Sequence, residues 1–381
     1  MAQIESFWPT ASQRLLLTVA FGDDERSSAA WTALKPRFDL DRLEPGSFTI
    51  MPLVYRALAA TAPAEPLLPR LKGIYRSIWA RNTLLLERTA KTFDAFEQQG
   101  IPALALGGLS LGLRYYSDLG SRRTENTVGL VARSDAGAVP AVLAAARWFP
   151  RPDLDAWHGA AAGAPRYFAD RDGNIFVVAT SLGFDVLLES EPHDALLRLL
   201  PGAETQTVGA AQVRLPSPTD TLFALCVSGP RVGPLRSVQW LVDAATLIRL
   251  AGGEIDWTRF VSLGLESRQA LRLTDAVAQL AAVPDVHVPE TVLDGLNREQ
   301  PTRRDRLIYR GSGRATRRLG ALPLFVAEHL AAHPDATPAA AVTSLPGYLR
   351  KRWGLGSVRA VPLTAGRKAI RALTGRSRSD A

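Results

Sequence analysis

Residues 102–106 read Pro-Ala-Leu-Ala-Leu, and Gly107-Gly108 follow at once, ahead of a stretch from Leu109 to Tyr116 that can form a short helix. A short apolar run bounded by Pro and Gly suits a buried strand feeding a tight turn. The chain must therefore build a sheet in which a strand passes directly into a helix. A glycine turn at a helix N-terminus exposes amide groups that can hold a phosphate. The same turn also serves plain close packing of strand on helix, and the dipeptide alone does not separate the two.

Around this unit the periodicity alternates. Leu15, Leu16, Val19 and Ala20 recur at helical spacing, and Trp31 with Leu34 marks another turn, so residues 1–70 are read as an N-terminal helical region. A long helix is expected from Leu71 to Gln99, with Ile74, Ile78, Leu85, Thr89 and Phe93 as its stripe and Gly100 as its stop. Further strands are expected at Val128–Ala132, Ile175–Thr180 and Phe184–Leu188, with a helix over Ala136–Trp148 between the first two. Interleaved strands and helices make residues 71–215 a core of mixed type, α/β or α+β. From Ser217-Pro218-Thr219-Asp220 the pattern becomes helical, because Ser caps, Pro fills the first helical position and Asp faces the dipole. Trp240, Leu241, Ala244 and Leu247 form the next stripe, Asp256-Trp257 opens another helix, and this helical domain runs over 216–300. A basic C-terminal region, 301–381, has a helix expected at Leu322–Ala332 and is otherwise read as partly disordered.

Charge is distributed unevenly. Residues 301–381 carry 16 Lys and Arg against 4 Asp and Glu, leaving 29 against 33 for the rest, so the end is about +12 and the body about −4. A basic end can hold nucleic acid, an anionic membrane or an acidic protein, or can simply be solvated. One cysteine, Cys226, excludes an internal disulfide and a multi-thiolate metal site. With no signal-peptide pattern at the N-terminus and no run long and apolar enough to span a bilayer, the expected location is cytoplasmic.

The landmarks between Tyr75 and Asp135 resemble those of the uncharacterised nucleotidyltransferase family, which belongs with the polymerase-β-like nucleotidyltransferases. That family has an Arg-Asn pair in a long helix, here Arg81-Asn82. Its motif continues Leu-Lys-Gly, a short helix ending in Tyr, an Asp/Pro/Gly loop, Arg-Pro-Met and Asp-Ile-Asp-Leu-Leu-Val. This chain supplies Leu106-Gly107-Gly108, then Tyr115-Tyr116-Ser-Asp118-Leu-Gly120-Ser-Arg122, then Arg123-Thr-Glu-Asn126-Thr-Val128-Gly-Leu130-Val131. Trp31, Pro52-Leu-Val-Tyr55, Leu215–Leu222 and Trp240-Leu-Val-Asp243 resemble further parts of the family. The resemblance implies an α+β fold, with a nucleotidyltransferase-like mixed sheet, flanking helices, and N-terminal and C-terminal helical regions.

It also implies where chemistry would sit. In an active relative the two aspartates of Asp-x-Asp and a third carboxylate hold two Mg²⁺ ions against a nucleoside triphosphate (NTP). The two positions here are Asn126 and Val128, and Gly107 stands where the family has lysine. Asparagine keeps one uncharged oxygen and valine supplies no ligand. No acid lies within Ile175–Thr180; Glu125, Asp185 and Glu189 are the possible substitutes. Gly107, Gly108, Ser110 and Arg122 remain as candidate nucleotide or anion contacts. The expectation is a degenerate active site without a confident metal, in a binding, regulatory or scaffold protein whose old cleft takes a protein or peptide, or a nucleotide. The alternative is a divergent enzyme that moves a nucleotidyl group from NTP, with Mg²⁺, to a hydroxyl of a small molecule, sugar or protein.

Other residues carry weaker signals. His329 and His333, four apart, share a helix face without a third ligand and read as ordinary surface or partner-contact histidines. His158 is an isolated loop histidine and Cys226 lies in an apolar run, so both read as structural. Arginines 303–318 have only Tyr309 among them, not the repeated aromatics of a nucleic-acid platform.

Overall fold

The structure is a computed structural model and describes residues 8–124, 126–154, 165–180, 195–229, 237–303, 305–307, 309, 326, 329, 337–353 and 355–374. It opens with helices α1 (Ala11–Phe21) and α2 (Asp24–Leu34). Thr10 starts α1 through a reciprocal cap: its hydroxyl accepts from the Gln13 N–H at 3.2 Å, and the Gln13 side chain accepts from the Thr10 N–H at 2.9 Å. The expected stripe is buried through Leu16 and Val19, with Leu15 and Ala20 packed at its edge, and Trp31 and Leu34 are buried from α2. After α3 (Pro45–Phe48) and α4 (Met51–Thr61) comes α5 (Leu68–Gln98), three residues longer at its start than the spacing predicts. Leu85, Thr89 and Phe93 form its buried face, and Gly100, at φ +66°, ends it in a conformation that favours glycine.

Strand β1 (Ala103–Leu106) follows, then α6 (Gly108–Tyr115), β2 (Asn126–Val131) and α7 (Val139–Ala145). Helix α7 is shorter than the expected Ala136–Trp148. Pro140 sits at its N-terminal end, where it has no N–H to lose, and Arg147 leaves the helix at φ +63°. Strands β3 (Phe149–Pro150), β4 (Arg166–Ala169) and β5 (Ile175–Ala179), helix α8 (Ala195–Leu199) and the hairpin β6 (Glu204–Val208) with β7 (Ala211–Leu215) complete the core. The strand expected at Phe184–Leu188 lies outside the described residues.

The sheet order is β3-β4-β5-β2-β1-β7-β6. β2 runs antiparallel to β1, with Val128 opposite Leu106, and parallel to β5, with Asn126 opposite Ile175 and Val128 opposite Val177. Alternation along the strands builds two layers. Ala103, Ala105, Val131, Phe176, Val178 and Val213 pack with Phe93 and Phe96 of α5, Leu143 of α7 and Trp148. Leu104, Leu106, Val128, Leu130 and Val177 face the other way and join one continuous cluster with Leu16, Trp31 and Met51 and with Leu222, Trp240 and Leu241. The N-terminal helices and the helices after Ser217 thus share one core on one face of the sheet.

Those later helices are α9 (Pro218–Ser228), α10 (Gln239–Ala251), α11 (Trp257–Glu266), α12 (Ala270–Leu280) and α13 (Glu290–Leu296). Ser217 accepts from the Asp220 N–H, so the expected N-cap is made, and Asp256 caps the helix that it opens by accepting from the Arg259 N–H. In the basic end, the described residues include α14 (Pro338–Arg352) and α15 (Val361–Thr374); most of Leu322–Ala332 lies outside the described residues. No helix among the described residues is long and apolar enough to cross a membrane.

Candidate functional site

The loop between α6 and β2 is held from three sides. From α5, the buried Asn82 donates to the backbone oxygens of Leu119 (2.7 Å) and Arg122 (2.6 Å) and accepts from the Thr124 N–H (3.3 Å). A lone amide on a helix stripe thereby satisfies three backbone groups of a loop about 40 residues later, which would be costly to bury unpaired. At the loop tip, Asp118 accepts from the Gly120 N–H (2.7 Å) and the Ser121 N–H (3.0 Å), closing an Asx-type turn. Arg56 of α4 reaches Ser121 at 3.0 Å and also bonds Ser117. Tyr75 lies flat against Gly120, where an added Cβ would come within 2.6 Å of the ring.

Burial raises the Asp118 pKa, but hydrogen bonds from Tyr75, Ser121 and Gly120, with the Arg56 charge, outweigh it and hold the group below its ordinary value. Burial and the same carboxylate push the Tyr75 phenol up to about 12. A carboxyl depressed in the folded state stabilises fully above its unfolded value of about 3.9, and that contribution disappears as pH falls through the lower folded value. The stability advantage of wild type over Asp118→Asn is therefore expected to be constant near neutrality and to shrink in acid. Urea unfolding of both proteins across that range checks it; an advantage that grows in acid would contradict the assignment.

The third anchor comes from α10. Asp243, 1% exposed, accepts from Arg122 Nε (to Oδ1) and Nη2 (to Oδ2), both at 2.7 Å, from the Tyr116 hydroxyl at 2.7 Å and from Gln239 Nε2 at 2.8 Å. This is a two-pronged guanidinium–carboxylate pair in a dry setting. Burial, then the Asp243 charge, drives the Tyr116 phenol well above its ordinary pKa, so it remains a donor. Arg122 was expected as an anion contact; its guanidinium is engaged with Asp243 and also donates to the Arg123 carbonyl at 3.1 Å.

Gly107 turns at φ +67° and Gly108 starts α6. An added Cβ at Gly108 would lie 2.6 Å from Arg122 Nη1 and 2.8 Å from Thr124, so glycine there lets the guanidinium close over the turn. Ser110 is buried and its hydroxyl donates back to the Gly107 carbonyl at 3.0 Å. Gly108, Arg122, Arg123 and Asn126 line a cleft of about 110 Å³, closed by Thr49 from the N-terminal side and by Ser237 and Gln239 from the helical side. Of the candidate contacts, Gly107 and Ser110 are not among the residues lining this cleft, whereas Gly108 and Arg122 line it together with the motif position Asn126. Thr49 and Gln239 join them without any motif having marked them.

Asn126 is half-buried at the start of β2. Val128, two residues on and on the same face, is 3% exposed and packs in the cluster that holds Leu106 and Val177. The described donors at these two positions, one neutral amide and one alkyl group, do not fit a divalent cation that prefers carboxylate and water oxygens. Among the described residues no three His, Cys, Asp or Glu side chains converge where they could hold a metal ion. Glu125, Asp185, Glu189, His158 and His333 lie outside the described residues.

Two other candidates are placed in the interior. Cys226 is buried in α9, where burial pushes its thiol far up and keeps it from acting as a thiolate. His329, read as an ordinary surface or partner-contact histidine, is 2% exposed; its Nε2 lies 2.9 Å from Ser344 Oγ and its ring packs on Tyr348. Tyr309 is also buried and donates to Asp275, so it offers no stacking platform.

No curated protein matches the sequence. The family described as uncharacterised nucleotidyltransferase matches residues 49–283, from the turn before α4 to just beyond α12. The matched segment spans more than half of the chain and includes the whole described sheet, the Asn82-anchored loop and Asp243. The chain belongs to the uncharacterised nucleotidyltransferase family.

Proposed function

We propose that this protein keeps the nucleotidyltransferase scaffold but has lost metal-dependent nucleotidyl transfer, and that it acts as a binding, regulatory or scaffold protein through the cleft beside Gly108 and Asn126. The observation that carries this reading is the setting of Val128. In the resemblance drawn above its position belongs to a metal-binding aspartate; here it is an alkyl side chain 3% exposed, with Leu106 and Val177 opposite it on the two neighbouring strands. A position built for Mg²⁺ needs a charged oxygen and access to water and phosphate. This one has neither.

The residues left around the cleft suit recognition of a polar group. Asn126, Thr49, Ser237 and Gln239 offer uncharged donors and acceptors, and Arg123 adds positive charge at the rim. A polar, modest cleft between a sheet and two helical layers fits a short peptide segment or a loop of a partner protein. Calorimetric titration of the wild-type protein with nucleoside triphosphates, with and without Mg²⁺, tests the reading. The expected result is no Mg²⁺-dependent heat. Mg²⁺-dependent binding would overturn it and favour the divergent transferase, with ligands supplied by Glu125, Asp185 or Glu189.

A further inference from the structure

Residues 338–374, which form α14 and α15, contain seven Lys and Arg and no Asp or Glu. On α15, Val-Pro-Leu-Thr-Ala-Gly-Arg-Lys-Ala-Ile-Arg-Ala-Leu-Thr, a helical repeat of about 100° per residue gathers every polar residue into one sector of about 120° and every apolar residue into the rest. Val361 is 5% exposed and anchors one edge of the apolar sector in the protein. Leu363 lies at the opposite edge and is 60% exposed. Arg367 stands one turn from Leu363 and is exposed, and Val358, just before the helix, is 43% exposed. Leu363 and Val358 thus present apolar surface outward beside the positive charge of Arg367.

From this juxtaposition we propose that α15 is a docking helix for an anionic phospholipid surface, lying in the interfacial plane with Leu363 inserted and the basic sector at the headgroups. A helix with a wide apolar face, a polar face whose charges are all positive and low net hydrophobicity has the composition of an interfacial helix. Charge complementarity selects the partner: a segment with seven cations and no acid of its own is attracted by anionic headgroups. Nucleic acid would also meet the charge, but single-strand platforms need exposed aromatic rings. The two aromatic residues in this segment are Tyr348, half-buried with its ring on His329, and Trp353, also half-buried. Leu363 and Val358 have no role in gripping a phosphate backbone, whereas a bilayer rewards both.

The test is flotation of the full chain with vesicles of phosphatidylcholine alone and of phosphatidylcholine mixed with phosphatidylglycerol, at low and high salt. Binding is expected to the anionic vesicles only and to fall with salt. Leu363→Asn, which leaves the charge unchanged, is expected to weaken it about 10-fold. Arg367→Glu, a change of two charge units at the surface, is expected to weaken it about 30-fold. Both positions are exposed, so thermal unfolding of the variants should match wild type. Equal binding to neutral vesicles, no binding to either, or full binding by Leu363→Asn would overturn the proposal. So would binding of a nucleic-acid oligomer by a protein that ignores the vesicles.

Discussion

Asp243→Ala is expected to lower the unfolding free energy by about 3–5 kcal/mol. The substitution leaves Arg122, 7% exposed, with its charge buried and both of its hydrogen bonds to the carboxylate removed. It also strands the Tyr116 hydroxyl and the Gln239 amide that converge on the same carboxylate. The cost comes from the unpaired groups rather than from the worth of the ion pair, because desolvating two charges offsets most of their attraction. The matched experiment is therefore Arg122→Met with Asp243→Leu, which removes both charges while filling volume and is expected to recover most of the loss. Urea unfolding of the two single variants and the double variant gives the coupling energy directly. Additive losses would show that the pair does not act as a unit and would undo the claim that Asp243 clamps the loop.

That clamp also illustrates what a linear reading can and cannot reach. Arg122 and Asp243 are 121 positions apart, so no spacing connects them; each was visible only as a landmark of the family resemblance. Asn82 was legible in the same limited way, although a polar residue on the stripe of an otherwise amphipathic helix is a physical signal for a buried hydrogen-bonding task. Strand β1 and helix α5 were readable because each is strongly patterned, one as a bounded apolar run and the other as a sustained helical stripe. The β6–β7 hairpin was not. Glu204-Thr-Gln-Thr-Val208 is polar on both faces and lies at the sheet edge, so pairing with β7 defines it and burial does not. β4 carries Arg and Tyr at its exposed end and takes its place by pairing with β5. His329 failed for a different reason: its burial depends on Ser344 and Tyr348, partners that arrive from a later helix.

Val128→Asp is expected to destabilise the protein by about 4 kcal/mol at neutral pH. Its neighbours across the sheet, Leu106 and Val177, are both apolar and buried, so a carboxyl there has no partner and little water. Burial raises the folded pKa of such a group while the unfolded value stays near 3.9, at about 1.4 kcal/mol for each unit between them. The sign follows from linkage: above about pH 3.9 the unfolded chain releases its proton first, so the deficit grows with pH until the raised folded pKa is reached. Unfolding of Val128→Asp in acid and at neutrality should show that growth, and a pH-independent deficit would mean the position is wetter than its burial implies. Adding Asn126→Asp places a second carboxylate on the same face and recreates the two-aspartate pattern in the scaffold. A Mg²⁺-dependent rise in the melting temperature of this double variant, absent from wild type, would show that the cleft still accepts the ion and that loss of the two carboxylates is what disarmed it. If Mg²⁺ leaves the double variant as unstable as before, the cleft itself has been rebuilt around Arg122 and Asp243, and a ligand without metal becomes the partner to seek.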